Sequence, residues 1–270
     1  MHLFCFGYGY VAQFLSRKLP NWKVSGTSRK SNTNDVNIFN YNKIDKDILK
    51  DVTHVLISIP TDGDNILEKY GHHLQNIKWL GYLSATSVYG DHFGNWVTES
   101  SQTKPTGSTG KSRLMFEKKW IDSKLPVHIF RLAGIYGPGR NVLINLKLGN
   151  AKSVKSKEGQ VFSRIHVEDI ANILLSSMNN INPGEIYNCA DDLPAPQADV
   201  IAYAAKLLNI DPPELVDISC LSSFAQSFYL ESKRVSNTKI KQDLNVSLVY
   251  PNYRVGLNAL FNDMETTKLS

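Results

Sequence analysis

The first twelve residues place the strongest constraint on the fold of this chain. Residues 2–6 form a short apolar run, and residues 7–12 read Gly-Tyr-Gly-Tyr-Val-Ala, a G-x-G-x-x-A pattern. Apolar residues then recur at helical spacing from Val11 to Leu19, which predicts an amphipathic helix directly after the glycines. A strand, a tight glycine turn and a helix in this order are typical of the first unit of a parallel α/β sheet.

The residue types in the glycine turn favour binding of a dinucleotide. A glycine at position 7 permits the tight turn, Gly9 lets a pyrophosphate approach the backbone, and Ala12 lets the helix pack closely on the strand. The start of a helix also attracts anions, because its first N–H groups are unpaired and its dipole is positive there. We therefore predict cofactor contacts from five residues of the turn: Gly7, Tyr8, Gly9, Tyr10 and Val11.

The end of the second predicted strand indicates which dinucleotide is bound. Residues 22–27 read as that strand, and Ser28 and Arg29 follow it. An acidic residue there would bind the ribose 2′-hydroxyl of NAD, whereas an arginine accommodates the 2′-phosphate of NADP. We expect NADP(H) to be preferred over NAD(H); the alternative is that Arg29 lies in a solvated basic turn.

Alternating strands and helices predict an α/β fold, a Rossmann-type doubly wound parallel sheet with a smaller C-terminal substrate-binding lobe. Residues 52–60 are the clearest buried strand, which places Ser58, Ile59 and Pro60 beside the cofactor at the carboxyl edge of the sheet. A helix is expected to run to Ile77, and a strand over residues 160–165. Residues 1–140 are assigned to the dinucleotide-binding core, and residues 141–270 to a mixed α/β segment that completes the core and forms the substrate lobe.

Composition argues against several classes of protein. The formal charge of +5 is spread along the chain without a basic run, which argues against a nucleic-acid or membrane surface. The three cysteines lack metal-ligand or disulfide spacing, so neither a metal site nor a disulfide framework is expected. With no signal peptide or membrane span recognised, a cytoplasmic protein acting on a small molecule is expected.

Several motifs together resemble those of the extended short-chain dehydrogenase/reductases, in particular proteins described as NAD-dependent epimerase/dehydratases. Besides the glycine turn, residues 84–90 resemble the family's S-S-x-x-V-Y-G strand end, and residues 131–139 resemble its R-x-x-x-x-Y-G-P-G loop. Residues 166–170 resemble its H-V-x-D-(V/I) segment. The G-x-G-x-x-A form of the glycine turn indicates the atypical members.

The resemblance also shows that the family's catalytic triad is changed. A Ser or Thr acts there with Tyr-x-x-x-Lys, but this chain has Ala85 at the first position, beside Thr86, and Thr109 and Arg113 at the other two. A threonine hydroxyl can share a hydrogen bond but cannot act as a base near pH 7. Arg113 keeps its charge and could bind ribose hydroxyls of the cofactor or a substrate anion. Thr86, Thr109 and Arg113 are the catalytic candidates.

Other residues at the same edge were considered as replacements. Tyr89 is an alternative catalytic residue, and Tyr136 or His166 could also supply a proton; each is otherwise a packing or loop residue. Tyr136, Arg140 and Arg164 are the candidate substrate-binding residues.

Two hypotheses of different class follow. The first is an NAD(P)(H)-binding epimerase/dehydratase or reductase that acts on a small sugar-like or anionic substrate through a non-standard site. The second is a catalytically inert NADP(H)-binding sensor that regulates a partner. A homodimer is possible, with the apolar helix around residues 114–121 either contributing to the contact or packing in the core.

Overall fold

A computed structural model describes residues 1–29, 37–41, 44, 46–59 and 64–269. Its central feature is a seven-stranded sheet in the order β11-β7-β5-β4-β1-β2-β3, in which every neighbouring pair is parallel. The seven strands are β1 (His2–Phe6), β2 (Lys23–Ser28), β3 (Asn37–Asn40), β4 (His54–Ile57), β5 (Trp79–Ala85), β7 (Val127–Leu132) and β11 (Ile186–Cys189). The order reverses between β1 and β4, so the predicted Rossmann-type doubly wound fold is confirmed.

Short two-stranded ladders lie outside the central sheet. They pair β6 (Trp96–Val97) with β13 (Arg234–Val235), β8 (Gly134–Tyr136) with β10 (Arg164–His166), and β9 (Ser153–Val154) with β12 (Leu215–Val216). The helices are α1 (Tyr10–Arg17), α2 (Asp64–Tyr70), α3 (Ser108–Asp122), α4 (Val142–Lys147), α5 (Val167–Asn179), α6 (Gln197–Leu208), α7 (Ser223–Phe228), α8 (Thr238–Asp243) and α9 (Tyr253–Leu269).

The helices cover both faces of the sheet and build a separate lobe. The apolar sides of α1 and α5 pack on one face, while α2 and α3 pack on the other. A third cluster forms between α4, α6 and α9, with Leu143, Val200 and Leu257 among its buried members. These packed layers explain why the central strands read as nearly continuous apolar runs.

Three predicted elements have different bounds in the structure. The helix expected to reach Ile77 ends at Tyr70 and is followed by a 3₁₀ turn over Gly71–His73, since glycine is a poor residue for continuing an α-helix. The strand expected over residues 160–165 is limited to Arg164–His166, and Phe162 instead makes an isolated antiparallel bridge to Ala195. The buried strand expected over residues 52–60 is β4, which is shorter at both ends.

A layer of aromatic and imidazole rings lies at the amino end of the sheet. The rings of Trp22 and His54 are 4.6 Å apart, those of His54 and Trp79 are 6.4 Å apart, and those of Trp79 and His128 are 5.9 Å apart, measured between centroids. Both histidines are almost fully buried, with His54 2% and His128 0% exposed. This layer lies opposite the edge at which β1, β2 and β4 run into the loops of the candidate site.

Candidate functional site

The glycine turn after β1 is fixed by residues from two neighbouring strands. The N–H of Gly7 donates to the Thr27 hydroxyl at 2.9 Å, and the N–H of Tyr8 donates to the Thr27 carbonyl at 2.6 Å. From β4, the Ser58 hydroxyl donates to the Gly7 carbonyl. Gly7 has φ +92°, and a Cβ there would lie 2.9 Å from Ser58 Oγ and 3.0 Å from Ile59 Cγ1. Only glycine satisfies both the backbone angle and this contact.

The helix that follows the turn begins without a side-chain cap. Gly9 is the N-cap of α1, it provides no side-chain acceptor, and the first turn of the helix contains no acidic residue. A Cβ built on Gly9 would meet no atom within 4 Å, so open space lies beside it. The unpaired N–H groups of Tyr10, Val11 and Ala12 face this end of the helix. These residues fit a dinucleotide, because its pyrophosphate would occupy the space that a larger side chain at position 9 would fill.

The residues predicted to contact the adenosine side lie at the end of β2. Ser28 is half-buried, and Arg29 is exposed immediately after it. Both follow Thr27, which fixes the glycine turn, so Ser28 and Arg29 share an edge of the sheet with the start of α1. Ile59 lies against Gly7, whereas Pro60 is outside the described residues.

The three catalytic candidates, Thr86, Thr109 and Arg113, lie on elements that pack together beside β5. Thr86 begins a 3₁₀ turn, and Thr109 is exposed in the first turn of α3. The helix approaches the turn closely, because a Cβ on Gly110 would lie 2.6 Å from the Ser87 carbonyl oxygen. Nη1 of Arg113 donates to the Leu83 carbonyl at 2.6 Å, and this bond attaches the side chain to β5. The bond uses only one of the five N–H donors of the guanidinium group.

Tyr89 lies away from this cluster in a buried polar network. Its hydroxyl donates to Asn188 Oδ1 at 2.7 Å and accepts from Arg131 Nη1 at 3.0 Å. Burial is the main cause that raises the pKa of Tyr89. Arg131 also forms a buried ion pair with Glu117, with 2.8 Å between Nη2 and Oε2, and Glu117 Oε1 accepts from Ser84 at 2.5 Å. The phenol of Tyr89 is thus engaged in linking strands and helix.

Two predicted substrate residues are buried in the contact between β8, β10 and the C-terminal lobe. The Tyr136 hydroxyl donates to the Asn252 carbonyl at 3.4 Å, and its pKa is raised chiefly by burial and then by the carboxylates of Asp191 and Asp169. The Arg164 guanidinium donates to the carbonyls of Phe162 at 2.8 Å and Ala195 at 3.0 Å. Its third partner is Gln197 Oε1, at 2.7 Å.

Arg140 differs from Tyr136 and Arg164 because it is exposed and lies near the ring of Tyr10. Its guanidinium carbon lies 6.0 Å from the centroid of the Tyr10 ring, at the start of α1. His166, the other candidate proton source, caps α5 by accepting from the Glu168 N–H at 3.2 Å. Burial lowers the pKa of His166 to about 4, so its ring is neutral near pH 7.

The structure adds a pair of ionisable residues that sequence patterns did not reveal. Glu231 accepts from the Thr106 hydroxyl at 2.8 Å through Oε1 and from Lys233 at 2.7 Å through Oε2. Lys233 also donates to the Gly90 carbonyl at 2.7 Å. Gly90 and Thr106 flank the triad positions, yet Glu231 is far from both in sequence, and no motif connects them. Within the described part of the chain, no group of three or more His, Cys, Asp and Glu side chains forms a possible metal site.

No family model matches the chain. A conserved protein of unknown function from Silicibacter pomeroyi has a solved structure that is 45% identical, with a TM-score of 0.91, covering 97% of this chain and 98% of that one. This chain belongs to the same family as that protein. Protein YeeZ of Escherichia coli is 31% identical over 186 residues, which is 63% of this chain and 64% of YeeZ, so the match spans less than two thirds of YeeZ.

Enzymes of the epimerase/dehydratase group share the fold at lower identity. A dTDP-glucose 4,6-dehydratase from Bacillus anthracis, in complex with NAD, has a TM-score of 0.79 at 17% identity, covering 100% of this chain and 98% of that one. The human epimerase family protein SDR39U1, with NADPH, has a TM-score of 0.76 at 14% identity, covering 97% and 100%. The predicted resemblance to the extended short-chain dehydrogenase/reductases is confirmed for the fold. Within the described residues, no helix has the length and apolar character needed to cross a membrane.

Proposed function

We propose that this protein binds a nicotinamide dinucleotide across the carboxyl edge of its sheet. The observation that carries the proposal is the uncapped start of α1 next to the open space at Gly9, in a turn fixed by Thr27. An unpaired helix start of this kind stabilises a pyrophosphate through N–H donors and the helix dipole. The solved relatives bind either NAD or NADPH, which supports the same ligand class for this chain.

We further propose that NADP(H) is preferred over NAD(H). Arg29 is exposed at the end of β2 and presents a permanent charge where the 2′-substituent of the adenosine ribose would lie. No acidic residue occupies position 28 or 29 to accept a 2′-hydroxyl. A charge-assisted hydrogen bond to a phosphate contributes about 1.5–3 kcal/mol, so a roughly ten- to hundredfold preference is expected.

The proposed activity is reduction, epimerisation or dehydration of a small polar or anionic substrate through a modified site. A bound nicotinamide dinucleotide would supply or accept hydride. In this chain the hydroxyls of Thr86 and Thr109 would hold a substrate oxygen, and Arg113 would contribute positive charge while it remains bound to the Leu83 carbonyl. Glu231 and Lys233 form an ionisable pair near these residues. We propose that this pair takes up and returns the proton of the substrate hydroxyl, the role that the tyrosine has in enzymes with the usual triad.

The second candidate function is a non-catalytic NADP(H) sensor. It is favoured by the absence of a phenol at the triad position and by the two hydrogen bonds that engage the nearest buried tyrosine, Tyr89. Such a protein would bind the dinucleotide and change its association with a partner without consuming a substrate.

Titration with NADPH and NADH tests the shared core of both functions. The four tryptophans allow binding to be followed as energy transfer from indole to the reduced nicotinamide. Saturable binding with NADPH preferred is the expected result. A screen for a substrate-dependent change at 340 nm, and for epimerised or dehydrated product formed with the dinucleotide still bound, then separates the enzyme from the sensor. Failure to bind either dinucleotide would reject both functions.

A further inference from the structure

We propose that Arg140 binds the pyrophosphate of the dinucleotide, so that the turn over residues 137–140 is part of the cofactor site and not of the substrate site. This inference rests on the proposed function and assigns to it a residue outside the glycine turn. The sequence groups Arg140 with Tyr136 and Arg164 as a candidate substrate residue, whereas in the structure those two are buried and Arg140 is exposed beside the Tyr10 ring.

The start of α1 is joined directly to the turn that contains Arg140. Tyr10 is the first residue of α1, and its hydroxyl donates to the Pro138 carbonyl at 2.8 Å. The Arg140 guanidinium carbon lies 6.0 Å from the centroid of the same tyrosine ring. The cation therefore lies near the first residue of α1, which directly follows Gly9 and the open space beside it.

The electrostatics of this arrangement favour an anion. The amino end of α1 carries a partial positive charge, and the guanidinium adds a full charge beside it. The first turn of α1 contains no acidic residue, and Arg140 forms no ion pair with any carboxylate in the described ranges. The two positive groups lie on the same side of the turn, so a doubly charged pyrophosphate can interact favourably with both.

The turn holds Arg140 in a defined position. Gly137 and Arg140 exchange backbone hydrogen bonds of 2.9 and 3.1 Å, and Asn141 Nδ2 donates to the Gly137 carbonyl at 2.9 Å. Gly137 has φ +156°, and a Cβ there would lie 2.7 Å from the Tyr10 hydroxyl oxygen and 2.7 Å from Val167 Cγ1. The absence of a side chain at position 137 is therefore what allows the turn to contact the helix.

The remaining predicted substrate residues do not have this freedom. Arg164 already donates to two carbonyls and to Gln197, and it is almost fully buried. The guanidinium of Arg140 is exposed, so a ligand can reach it. Among the described residues, the aromatic ring it approaches is that of Tyr10, at the start of α1.

The test compares Arg140→Met with Arg17→Met as a matched control. Arg17 also lies over an aromatic ring of α1, 4.7 Å from the centroid of Phe14, but it is at the carboxyl end of the helix. Dissociation constants are measured calorimetrically for NADPH and for ADP-ribose, which contains the pyrophosphate and lacks the nicotinamide. Thermal unfolding of each variant checks that the fold is retained.

We expect Arg140→Met to weaken ADP-ribose and NADPH by a similar factor, roughly ten- to hundredfold, and Arg17→Met to change either by less than threefold. Tyr10→Phe, which removes only the bond to the Pro138 carbonyl, should give a smaller loss in the same direction. Unchanged affinity of Arg140→Met for ADP-ribose, with normal binding by the wild-type protein, would overturn this inference alone. Absence of binding by the wild-type protein would overturn the proposed function and this inference together.

Discussion

Acidification is expected to destabilise the protein through its buried histidines. Burial is the main cause that lowers the pKa of His54 and of His128, each to about 4. In an unfolded chain a histidine has a pKa of about 6.5. The unfolded state therefore binds protons first as pH falls, so the stability contributed by each neutral ring is complete above pH ~6.5 and is lost between there and pH ~4.

The size of the effect follows from the two pKa values. For one histidine with a pKa of about 4 folded and about 6.5 unfolded, the free energy of unfolding falls by about 2 kcal/mol between pH 7 and pH 5. Near pH 5.3 the slope is about 1.2 kcal/mol per pH unit for each such ring. His166 shares the same direction, with its pKa lowered to about 4. These losses are large compared with a typical domain stability of about 5–15 kcal/mol.

Asp191 opposes this trend and determines how the test must be designed. Burial raises its pKa to about 7, so the folded state takes up a proton at a higher pH than the unfolded state does. That contribution to stability is present at acidic pH and is lost as pH rises through about 7. The total slope of the wild-type protein therefore combines both signs, whereas the change in slope on removing one histidine does not.

Urea unfolding at a series of pH values from 7 to 5 measures the slope for the wild-type protein and for His54→Gln. His72→Gln is the control, because His72 is exposed and lies outside the aromatic layer. The His54 variant should lose about 1.2 kcal/mol per pH unit of the slope near pH 5.3, and the His72 variant should keep the wild-type slope. An identical slope in wild type and His54→Gln would refute the assignment of acid sensitivity to this buried ring.

Three further substitutions test separate parts of the structure. Gly9→Val should abolish dinucleotide binding in the fluorescence titration, since the new side chain enters the space left for the pyrophosphate, while the poorer N-cap lowers the melting temperature only slightly; retained affinity would reject the assigned turn. Arg29→Asp should weaken NADPH far more than NADH, and equal losses would show that Arg29 does not read the 2′-phosphate. Arg131→Met should reduce the free energy of unfolding in urea by about 3–5 kcal/mol, because it leaves the Glu117 carboxylate buried without its partner, and a loss below about 1 kcal/mol would contradict that role.

Local signals in the sequence were sufficient for the central sheet. The glycine turn lies between a strand and an amphipathic helix as expected. These features depend on neighbouring residues, whose spacing and backbone preferences are visible in the chain. The end of the helix at Tyr70 was missed because Gly71 stops a pattern that is otherwise still apolar.

The composition of the site depended on contacts between distant segments. Glu231 contacts Thr106 because the segment before β13 lies against the loop before α3. No pattern in the sequence around either residue predicts this contact. Arg140 and Arg164 appeared equivalent as basic residues of one half of the chain. In the folded molecule Arg140 lies in an exposed turn near the start of α1, whereas Arg164 is buried and donates to backbone carbonyls.

The position of Thr27 gives this fold a useful freedom in cofactor engineering. One residue supplies both acceptors for the N–H groups of Gly7 and Tyr8, through its hydroxyl and its carbonyl, and the two positions predicted to contact the ribose directly follow it in the chain. If Arg29 contacts the ribose as proposed, its substitution should alter discrimination there while both Thr27 hydrogen bonds to the glycine turn remain. A protein designer seeking to exchange one nicotinamide dinucleotide for the other should vary those two positions and leave Thr27 unchanged.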